Sequence, residues 1–414
     1  MGFVLVGSGS SRMNTAIAPF VRRVSLCNYK SIRDCDVVLG PLMVLVGTNG
    51  SGKSNFLDAL RFVADSLRTT MDQALRERGG IKEVRRRSRG HPTHFSIAMH
   101  LTLPGGDTAQ YGFRVGARPQ GGFEVQEEQC LIGTNGQPRA SYMIKDGRVQ
   151  SATFQPRPPA STDRLYLTIA SGFPEFRQLF DLLSNMGFYS INPDQVRNLQ
   201  EPDAGNLLLR DGRNVASVVD RLERQNTTVK DRIEQYLGNI APGVKKVGKK
   251  SLGNKETLEF KQTVAGDANP WSFFAQNMSD GTLRAFGVLV SVFQCLDRAA
   301  DSLIPLVGIE EPEATIHPAA VAVLMEALRE AAHFTQVLVT SHSPELLDAA
   351  ELTPESLLIV EAKDGETTIA PADDTSRSAM RDRLYTPGEL LKLDQLKPQS
   401  PVEIDRDSLP LFPD

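Results

Sequence analysis

Cysteine is scarce in this chain, and the few cysteines lie far apart. Four of them occur among 414 residues, at Cys27, Cys35, Cys130 and Cys295, and no two share the CxxC spacing of a zinc or redox site. We therefore expect reduced thiols and no disulfide framework. Long apolar runs are also lacking, because no stretch approaches the roughly 18 residues that a membrane-spanning helix needs. With no signal-peptide pattern at the start, these features predict a cytoplasmic protein without a membrane partner.

An overall excess of basic charge is missing as well. Lys and Arg total 46, Asp and Glu total 50, and the formal net charge is −4, so composition alone does not predict binding to nucleic acid. Two local basic clusters depart from this average: Lys82, Arg85, Arg86, Arg87 and Arg89, and then Lys245, Lys246, Lys249, Lys250 and Lys255. Such clusters predict salt-sensitive contacts with DNA or RNA phosphates. The alternative is a solvated charged surface, the commoner role of a charge run.

The order of apolar patterns predicts an α/β protein. Strands are indicated at 20–46, an amphipathic helix at 55–67, an antiparallel β region at 93–170, helices at 171–240 and two strands at 244–264. Helix and strand then alternate: helices at 279–301, at 319–332 and from Pro344, and strands at 303–309, 337–340 and 356–361. We predict a flexible leader at 1–19, a main lobe from 20–170 and 300–393, a helical lobe at 171–299 and a flexible tail at 394–414.

The strongest chemical signal is the string GTNGSGKS at residues 47–54, a complete GxxxxGK[ST] phosphate loop. It lies between a buried-strand pattern and an amphipathic helix, which is the context that such a loop requires. Glycine lets the backbone curl until successive N–H groups face phosphate oxygens, and the helix N-terminus adds to the attraction. The residues predicted to hold the nucleotide are Asn49, Gly50, Ser51, Gly52, Lys53, Ser54 and Asn55. Lys53 is expected to bridge the β- and γ-phosphates, and Ser54 to ligate Mg²⁺.

A second signal is a pair of carboxylates, Glu310 and Glu311, at the end of the strand predicted at 303–309. Because adjacent strand residues point to opposite sides, one carboxylate can face the metal and the other the attacking water. We assign Glu310 to the Mg²⁺ side and Glu311 to the water side. Glu310 stands where Asp is usual, and the extra methylene is expected to alter the metal geometry and slow turnover.

Two further strings complete the set. TSHSP at residues 340–344 puts His342 just after a buried strand, where an imidazole can contact a γ-phosphate. NMSDGT at 277–282 precedes a long helix, with Ser279 as a natural N-cap and Gly281 permitting close approach of a ligand. Trp271 and the two phenylalanines after it are expected to serve packing between lobes.

These four motifs, in this order, resemble the ABC-type ATPase heads of the SMC, RecF and OLD families. LCNYKSI at 26–32 is similar to their "nFKSI" strand, and residues 47–55 to their "GxNGSGKSN" loop. Ser279, Asp280 and Gly281 resemble the signature, and EEPEATIHP at 310–318 resembles "DEPE..LHP". The middle segment 192–217 and the late segment 384–390 are similar to stand-alone RecF-like ATPases of bacteria. The resemblance covers residues 20–393, and implies an ABC-type P-loop NTPase head with an antiparallel β subdomain and an inserted helical lobe.

In such proteins the signature of one subunit completes the ATP site of the other. The resemblance therefore implies a homodimer, or a higher oligomer, that encloses ATP and Mg²⁺ between subunits. Glu311 would be the general base, His342 the γ-phosphate sensor, Lys53 the phosphate-binding cation, and Ser279 and Gly281 would act in trans. His317 would lie near the dimer seam. No Q-loop glutamine stands out among Gln73, Gln178 and Gln195, and the sequence has neither coiled-coil heptads nor the acidic cluster of a TOPRIM nuclease.

The sequence thus predicts an ATPase without a nuclease site of its own. It would serve as a sensor or motor in bacterial phage defence or genome maintenance, together with nucleic acid or a separately encoded nuclease or toxin. The alternatives are a RecF-like DNA-repair loader, a transporter nucleotide-binding subunit and a non-catalytic ATP-gated scaffold.

Overall fold

The computed structural model describes residues 18–87, 92–134, 137–296, 303–349 and 352–400. The strands in these ranges are β1 (Val21–Tyr29), β2 (Ile32–Val38), β3 (Leu42–Val46), β4 (His94–Thr102), β5 (Thr108–Ala117), β6 (Phe123–Thr134), β7 (Gln137–Lys145), β8 (Arg148–Ala152), β9 (Gly187–Tyr189), β10 (Val244–Leu252), β11 (Lys255–Gln262), β12 (Trp271–Phe274), β13 (Leu306–Glu310), β14 (Gln336–Ser341), β15 (Leu357–Lys363) and β16 (Glu366–Pro371).

The helices in the same ranges are α1 (Lys53–Arg68), α2 (Met71–Arg76), α3 (Ile81–Val84), α4 (Leu167–Ala170), α5 (Pro174–Ser184), α6 (Pro193–Arg197), α7 (Val215–Gln225), α8 (Thr227–Ile240), α9 (Asp280–Phe293), α10 (Pro318–Ala331), α11 (Pro344–Ala349), α12 (Asp374–Arg381) and α13 (Pro387–Lys392).

One large sheet organises the chain, in the order β8-β7-β6-β5-β4-β1-β2-β16-β15-β3-β14-β13-β9. The strands from β15 through β3, β14 and β13 to β9 pair in parallel, whereas β8 to β2 form an antiparallel meander. The parallel strands are continuously apolar because helices cover both of their faces. The predicted α/β class with an antiparallel β region is therefore confirmed.

The two faces of the parallel strands belong to different hydrophobic clusters. Met43 and Leu45 of β3 join a cluster with α1, α4, α5 and the antiparallel strands, while Val44 and Val46 join a second cluster with α7 to α10. Strand alternation explains the division, since successive side chains point to opposite faces. Strand β3 is therefore held from both sides just before the phosphate loop.

A register match aligns the strand ends that matter for chemistry. Ser341 of β14 pairs with Val46 of β3, and Thr340 pairs with Glu310 of β13. Because these strands are parallel, their carboxyl ends lie at one edge of the sheet. The phosphate loop, the acidic pair and the residues around His342 all emerge there.

A smaller sheet, in the order β10-β11-β12, packs against α7 and α8. The two strands expected at 244–264 are confirmed, and β12 is an addition that the sequence pattern did not predict. A short 3-10 turn at Ala275–Asn277 joins β12 to the N-cap of α9. The small sheet therefore leads directly into the signature motif.

Some predicted boundaries differ from the structure. Helix α9 ends at Phe293, well before 301, and residues 297–302 lie outside the described ranges. Strand β9 joins the large sheet although it falls in the range predicted for the helical lobe, so the division into lobes stays a prediction. Within the expected flexible tail, the Gln399 N–H donates to the Pro371 carbonyl (2.8 Å). Residues 394–400 therefore pack on the sheet, while 401–414 and 1–17 of the leader lie outside the described residues. No helix of the described part is long and apolar enough to cross a membrane.

Candidate active site

The phosphate loop surrounds the Lys53 side chain. The Lys53 Nζ donates to the carbonyl oxygens of Gly47 (2.8 Å) and Thr48 (2.9 Å), and the residue is 5% exposed. Burial lowers the pKa of Lys53, and the carboxylates of Glu311 and Glu313 oppose that effect. The lysine is therefore a desolvated cation near two carboxylates, as a phosphate-binding group requires.

Glycine is required at two loop positions because other parts of the chain lie so close. A Cβ on Gly47 would collide with the backbone carbonyl of Val360 in β15, and a Cβ on Gly52, whose φ is +105°, would collide with the Thr367 side chain. By contrast, Gly50 has a φ of +79° and a Cβ there would meet nothing within 4 Å. The loop is thus packed on its inner side and open at its tip.

Three hydroxyl and amide groups hold the loop from behind. Thr367 Oγ1 donates to the Ser51 carbonyl (2.8 Å) and lies 2.7 Å from Ser31 Oγ, which accepts from Asn55 Nδ2 (2.7 Å). Thr367 is 316 residues from Ser51 in sequence, and its role was not predicted. The only available signal was the Lys30-Ser31 pair in the family-like string at 26–32.

The remaining predicted loop residues face outward. Asn49, Gly50 and Ser54 are exposed, whereas the Ser51 side chain is buried. The exposed Ser54 hydroxyl on the first turn of α1 and the Glu310 carboxylate at the end of β13 are oxygen donors, the ligand type that Mg²⁺ prefers. Their chemistry fits a magnesium–nucleotide complex, and no cluster of three or more His, Cys, Asp or Glu elsewhere in the described residues competes as a metal site.

The two carboxylates of the acidic pair diverge, but for a reason that differs from the predicted one. Strand β13 ends at Glu310, whose Oε1 lies 2.7 Å from Arg210 Nη2. Glu311 lies beyond the strand in a left-handed conformation (φ 44°), and its N–H donates to the Thr340 carbonyl (3.0 Å). A turn, and not strand alternation, therefore separates them.

Glu311 and His342 form a direct contact. His342 Nδ1 lies 3.0 Å from Glu311 Oε1, a geometry in which the ring N–H donates to the carboxylate. Both side chains are about two-fifths exposed, at 42% for His342 and 39% for Glu311. The sequence-predicted pair is thus brought together at the open edge of the sheet.

Glu313 was not among the predicted site residues, although it belongs to the same string. It is buried, and its carboxylate accepts from the Ser341 hydroxyl. Burial raises the pKa of Glu313, and one of its oxygens has no hydrogen-bond partner among the described residues. Ser341 also accepts from the Ser343 N–H (3.0 Å), so Glu313 fixes the turn that carries His342.

The signature motif packs against the acidic turn of its own chain. Ser279 is the N-cap of α9 as predicted, since its Oγ accepts from the Thr282 N–H (3.3 Å). A Cβ on Gly281 would lie 2.5 Å from the Thr315 carbonyl, so the close approach that this glycine permits is to the chain's own backbone. The Asp280 carboxylate pairs with Arg197 of α6. Ser279 itself is exposed.

Arg284, one turn further along α9, also joins this region. Its guanidinium lies near the Glu311 carbonyl (3.5 Å), and burial lowers its pKa while Glu311 and Glu313 oppose the effect. Its Nε has no hydrogen-bond partner among the described residues. The sequence gave no sign of this arginine, because nothing in its local pattern distinguishes it from a surface residue.

The three glutamines proposed for a Q-loop lie on different elements. Gln73 is on α2, Gln178 on α5 and Gln195 on α6, which follows β9 at the same sheet edge as the acidic pair. Gln195 is therefore the best placed of the three. His317 caps its own helix, with Nδ1 accepting from the Ala319 N–H (3.2 Å), and is exposed.

The two basic clusters differ in how many charges they leave free. In the first, Arg86 pairs with Glu366 and Arg87 with Glu83, and Arg89 lies outside the described residues. In the second, Lys249 pairs with Asp220 (2.8 Å) and Glu256 (2.9 Å), and Lys255 pairs with Glu201. The exposed cations with no ion pair to any described residue are Lys82 in the first cluster and Lys245, Lys246 and Lys250 in the second.

This fold and this edge define an ABC-type P-loop ATPase head. A model of the family described as "AAA domain, putative AbiEii toxin, Type IV TA system" matches residues 42–348. The chain belongs to that family.

The chain is also similar to individual proteins. It is 22% identical to the OLD nuclease of Thermus scotoductus over 392 residues, which are 87% of this chain and 66% of that protein, just under two thirds of it. A crystal structure of an Smc head bound to the C-winged helix domain of ScpA covers 85% of this chain and 98% of its own, with 15% identity and a TM-score of 0.56. An Smc head from Pyrococcus furiosus, bound to the C-terminal domain of ScpA, covers 88% of this chain and 99% of its own, with 13% identity and a TM-score of 0.55. These structures support the fold of an SMC- and OLD-like ATPase head.

Proposed function

We propose that this chain hydrolyses ATP with Glu311 as general base. The observation that carries the proposal is the Glu311–His342 contact (3.0 Å) at the same sheet edge as the desolvated Lys53. Glu311 would accept a proton from the water whose oxygen attacks the γ-phosphorus, and His342 would orient that carboxylate and contact the γ-phosphate. Lys53 would stabilise the charge on the phosphates as ADP leaves. Ser54 and Glu310 would hold Mg²⁺, which neutralises phosphate charge when it is bound.

A Glu311→Gln variant tests this role. We expect phosphate release to fall at least about 100-fold, because an amide cannot accept the proton, while nucleotide binding is retained. Glu326→Gln, an exposed residue of α10, is the control and should match the wild type. Equal rates in Glu311→Gln and the wild type would remove the assigned base and favour a non-catalytic, ATP-gated scaffold.

The same edge supports a head-to-tail dimer. Ser279 is exposed at the N-terminus of the 14-residue helix α9, where its hydroxyl and the helix dipole would attract a partner's γ-phosphate. Gly281 packs on the Thr315 backbone, so a force on Ser279 reaches the acidic turn directly. In this arrangement ATP joins two copies and hydrolysis weakens the joint.

Mixing two inactive variants distinguishes action in trans from action in cis. Lys53→Ala and Ser279→Arg should each be inactive alone. If Ser279 acts in trans, half of an equimolar mixture forms heterodimers with one complete site, and about one quarter of the wild-type rate returns. A mixture that stays inactive, although it forms dimers, would contradict the head-to-tail arrangement.

Contact with nucleic acid is a second proposal, carried by the small sheet. Lys246 is opposite Lys261 on the neighbouring strand, both are exposed, and Lys245 and Lys250 lie nearby. Trp271 and Phe274 of β12 are 53% and 37% exposed, contrary to the expected packing role, and offer faces on which bases can stack. The basic strand and exposed aromatics together suit a single-stranded nucleic acid.

The charge of the small sheet can be tested by salt dependence. Reversal of Lys246 and Lys250 to Glu should weaken binding to a single-stranded oligonucleotide and reduce the slope of log K against log salt by about two. Lys82→Glu tests the other cluster and should change little. Unaltered binding in the double variant would exclude this surface.

The biological role is proposed from the names of similar proteins. The family description includes a putative toxin of a type IV toxin–antitoxin system, and one relative is named a nuclease. We infer an ATP-dependent sensor or motor in defence or genome maintenance that controls a separate effector, in preference to a repair loader or a transporter subunit. Co-purification with the products of neighbouring genes, with and without ATP, tests this role, and a complex formed only with DNA would favour the repair loader.

A further inference from the structure

The loop that carries Arg210 lies against the acidic pair. The Arg210 carbonyl accepts from the Ser190 N–H (2.9 Å) and the Asp211 carbonyl from the Asn192 N–H (3.1 Å), so the loop backbone is tied to the segment after β9. Asn214 Oδ1 further accepts from the Leu209 N–H (2.8 Å). The guanidinium of Arg210 is thereby held at the end of β13, where Nη2 lies 2.7 Å from Glu310 Oε1.

This ion pair uses an oxygen that the proposed metal site also needs. Glu310 is the only carboxylate that we assign to Mg²⁺, and Mg²⁺ demands close oxygen ligands in near-ideal octahedral geometry. A guanidinium at hydrogen-bond distance occupies lone pairs of that carboxylate and repels an approaching cation. We propose that Arg210 is a regulatory positioning residue that competes with Mg²⁺ for Glu310 and so sets the Mg²⁺ concentration at which the site binds nucleotide.

The length of the Glu310 side chain fits this role. An Asp at this position would withdraw the carboxylate by about 1.5 Å, the length of one C–C bond, and would lengthen the 2.7 Å contact beyond hydrogen-bond distance. The Glu that departs from the usual acid therefore makes the pair with Arg210 possible. The departure and the arginine form one device.

Arg210 also has room to leave Glu310. It lines a cleft of about 780 Å³ between α1, β9 and the 207–213 loop, and its side chain is 49% exposed. Arg213 lines the same cleft but pairs with Asp211 (3.6 Å) and makes no ion pair with Glu310. The chain thus provides a matched control, an arginine of the same loop that lacks the carboxylate contact.

The inference rests on the proposed ATP site and is tested by nucleotide binding, independently of turnover. A fluorescent ADP analogue is titrated into purified full-length protein at a series of Mg²⁺ concentrations and in EDTA. In Arg210→Gln the Mg²⁺ concentration for half-maximal binding should fall about threefold, the size expected from the loss of a half-exposed ion pair. Arg213→Gln should match the wild type, and in a Glu310→Gln background the Arg210→Gln change should have no further effect.

The possible failures are distinguishable. If Arg210→Gln leaves the Mg²⁺ midpoint unchanged while wild-type protein binds nucleotide, the competition is wrong and the ATP site stands. If Arg210→Gln weakens binding equally in EDTA and in Mg²⁺, the arginine contacts phosphate, and the competition is again wrong. If the wild type binds no nucleotide under any condition, the proposed function fails and this inference fails with it.

Discussion

The phosphate loop and the acidic turn face each other across one sheet edge, but their backbones are built differently. In the loop, the residues with positive φ are glycines, Gly50 and Gly52. In the turn they are Glu311 (φ 44°) and Thr315 (φ 67°), which carry side chains. A left-handed conformation costs a non-glycine residue roughly 1–2 kcal/mol. The loop is therefore relaxed, whereas the turn stores strain.

The buried carboxyls of the two regions also differ. Asp58 on α1 accepts from the Tyr29 hydroxyl (2.8 Å) and pairs with Lys30, Arg61 and Arg78. Glu313 in the turn has one hydroxyl partner and one oxygen without a partner among the described residues. Strain and incomplete pairing persist only where the surrounding structure enforces them, and they often mark functional sites. The contrast identifies the acidic turn as the part of the site that changes during function, and the loop as the fixed part.

The largest expected effect follows from breaking the packed side of the loop. Gly47→Ala places a Cβ against the Val360 carbonyl, a backbone atom that cannot rotate away. We expect a loss of about 3 kcal/mol in the free energy of unfolding, together with loss of nucleotide binding. Gly50→Ala is the control, because its Cβ meets no atom and only the left-handed strain of about 1 kcal/mol applies. Urea denaturation measures both, and equal losses would show that the loop is not held by packing.

A smaller effect, with a clear pH dependence, is expected at Asp58. Burial alone raises the pKa of this carboxyl, but the cations around it outweigh burial and hold the pKa at about 2. Because the folded pKa lies below the unfolded value near 4, the stabilisation is present above pH 4 and is lost as the pH falls towards 2. Asp58→Asn should therefore lose about 2 kcal/mol at neutral pH and flatten the acid limb of the stability profile.

Two other carboxyls check this interpretation. Glu313 has a raised pKa, so its contribution has the opposite sign: it is present at low pH and is lost as the pH rises. Glu313→Gln should accordingly be as stable as the wild type at neutral pH, or more stable. Asp72→Asn, at an exposed i,i+4 pair on α2, should change stability by less than about 0.5 kcal/mol. A loss at Asp72 as large as that at Asp58 would mean that burial of the network does not matter.

The fold and the chemical motifs could be predicted from sequence because their signals are local. The P-loop string fixes a glycine-rich turn between a strand and a helix, and the apolar runs at 42–46 and 337–340 indicate buried parallel strands. The ends of such strands share an edge, so the proximity of Lys53, Glu311 and His342 followed from topology.

The supports of the site could not be predicted, because each depends on residues that are distant in sequence. Thr367 reaches Ser51 over 316 residues, and Arg210 reaches Glu310 over 100. The strand-alternation argument for the acidic pair failed for a related reason. Glu311 precedes Pro312, a position that favours extended backbone, and only tertiary contacts hold it at a φ of 44°.

The smallest expected effect concerns the strain in the acidic turn. Thr315 is exposed and β-branched, so Thr315→Asn should relieve part of the left-handed strain and raise stability by about 0.5–1 kcal/mol, since asparagine tolerates this conformation. Thr315→Val keeps the β-branch and should bring no gain. Thermal denaturation of the two variants measures the difference. If Asn proves no more stable than Val, the turn is not strained, and its position against Gly281 would then have to be set by packing of α9 alone.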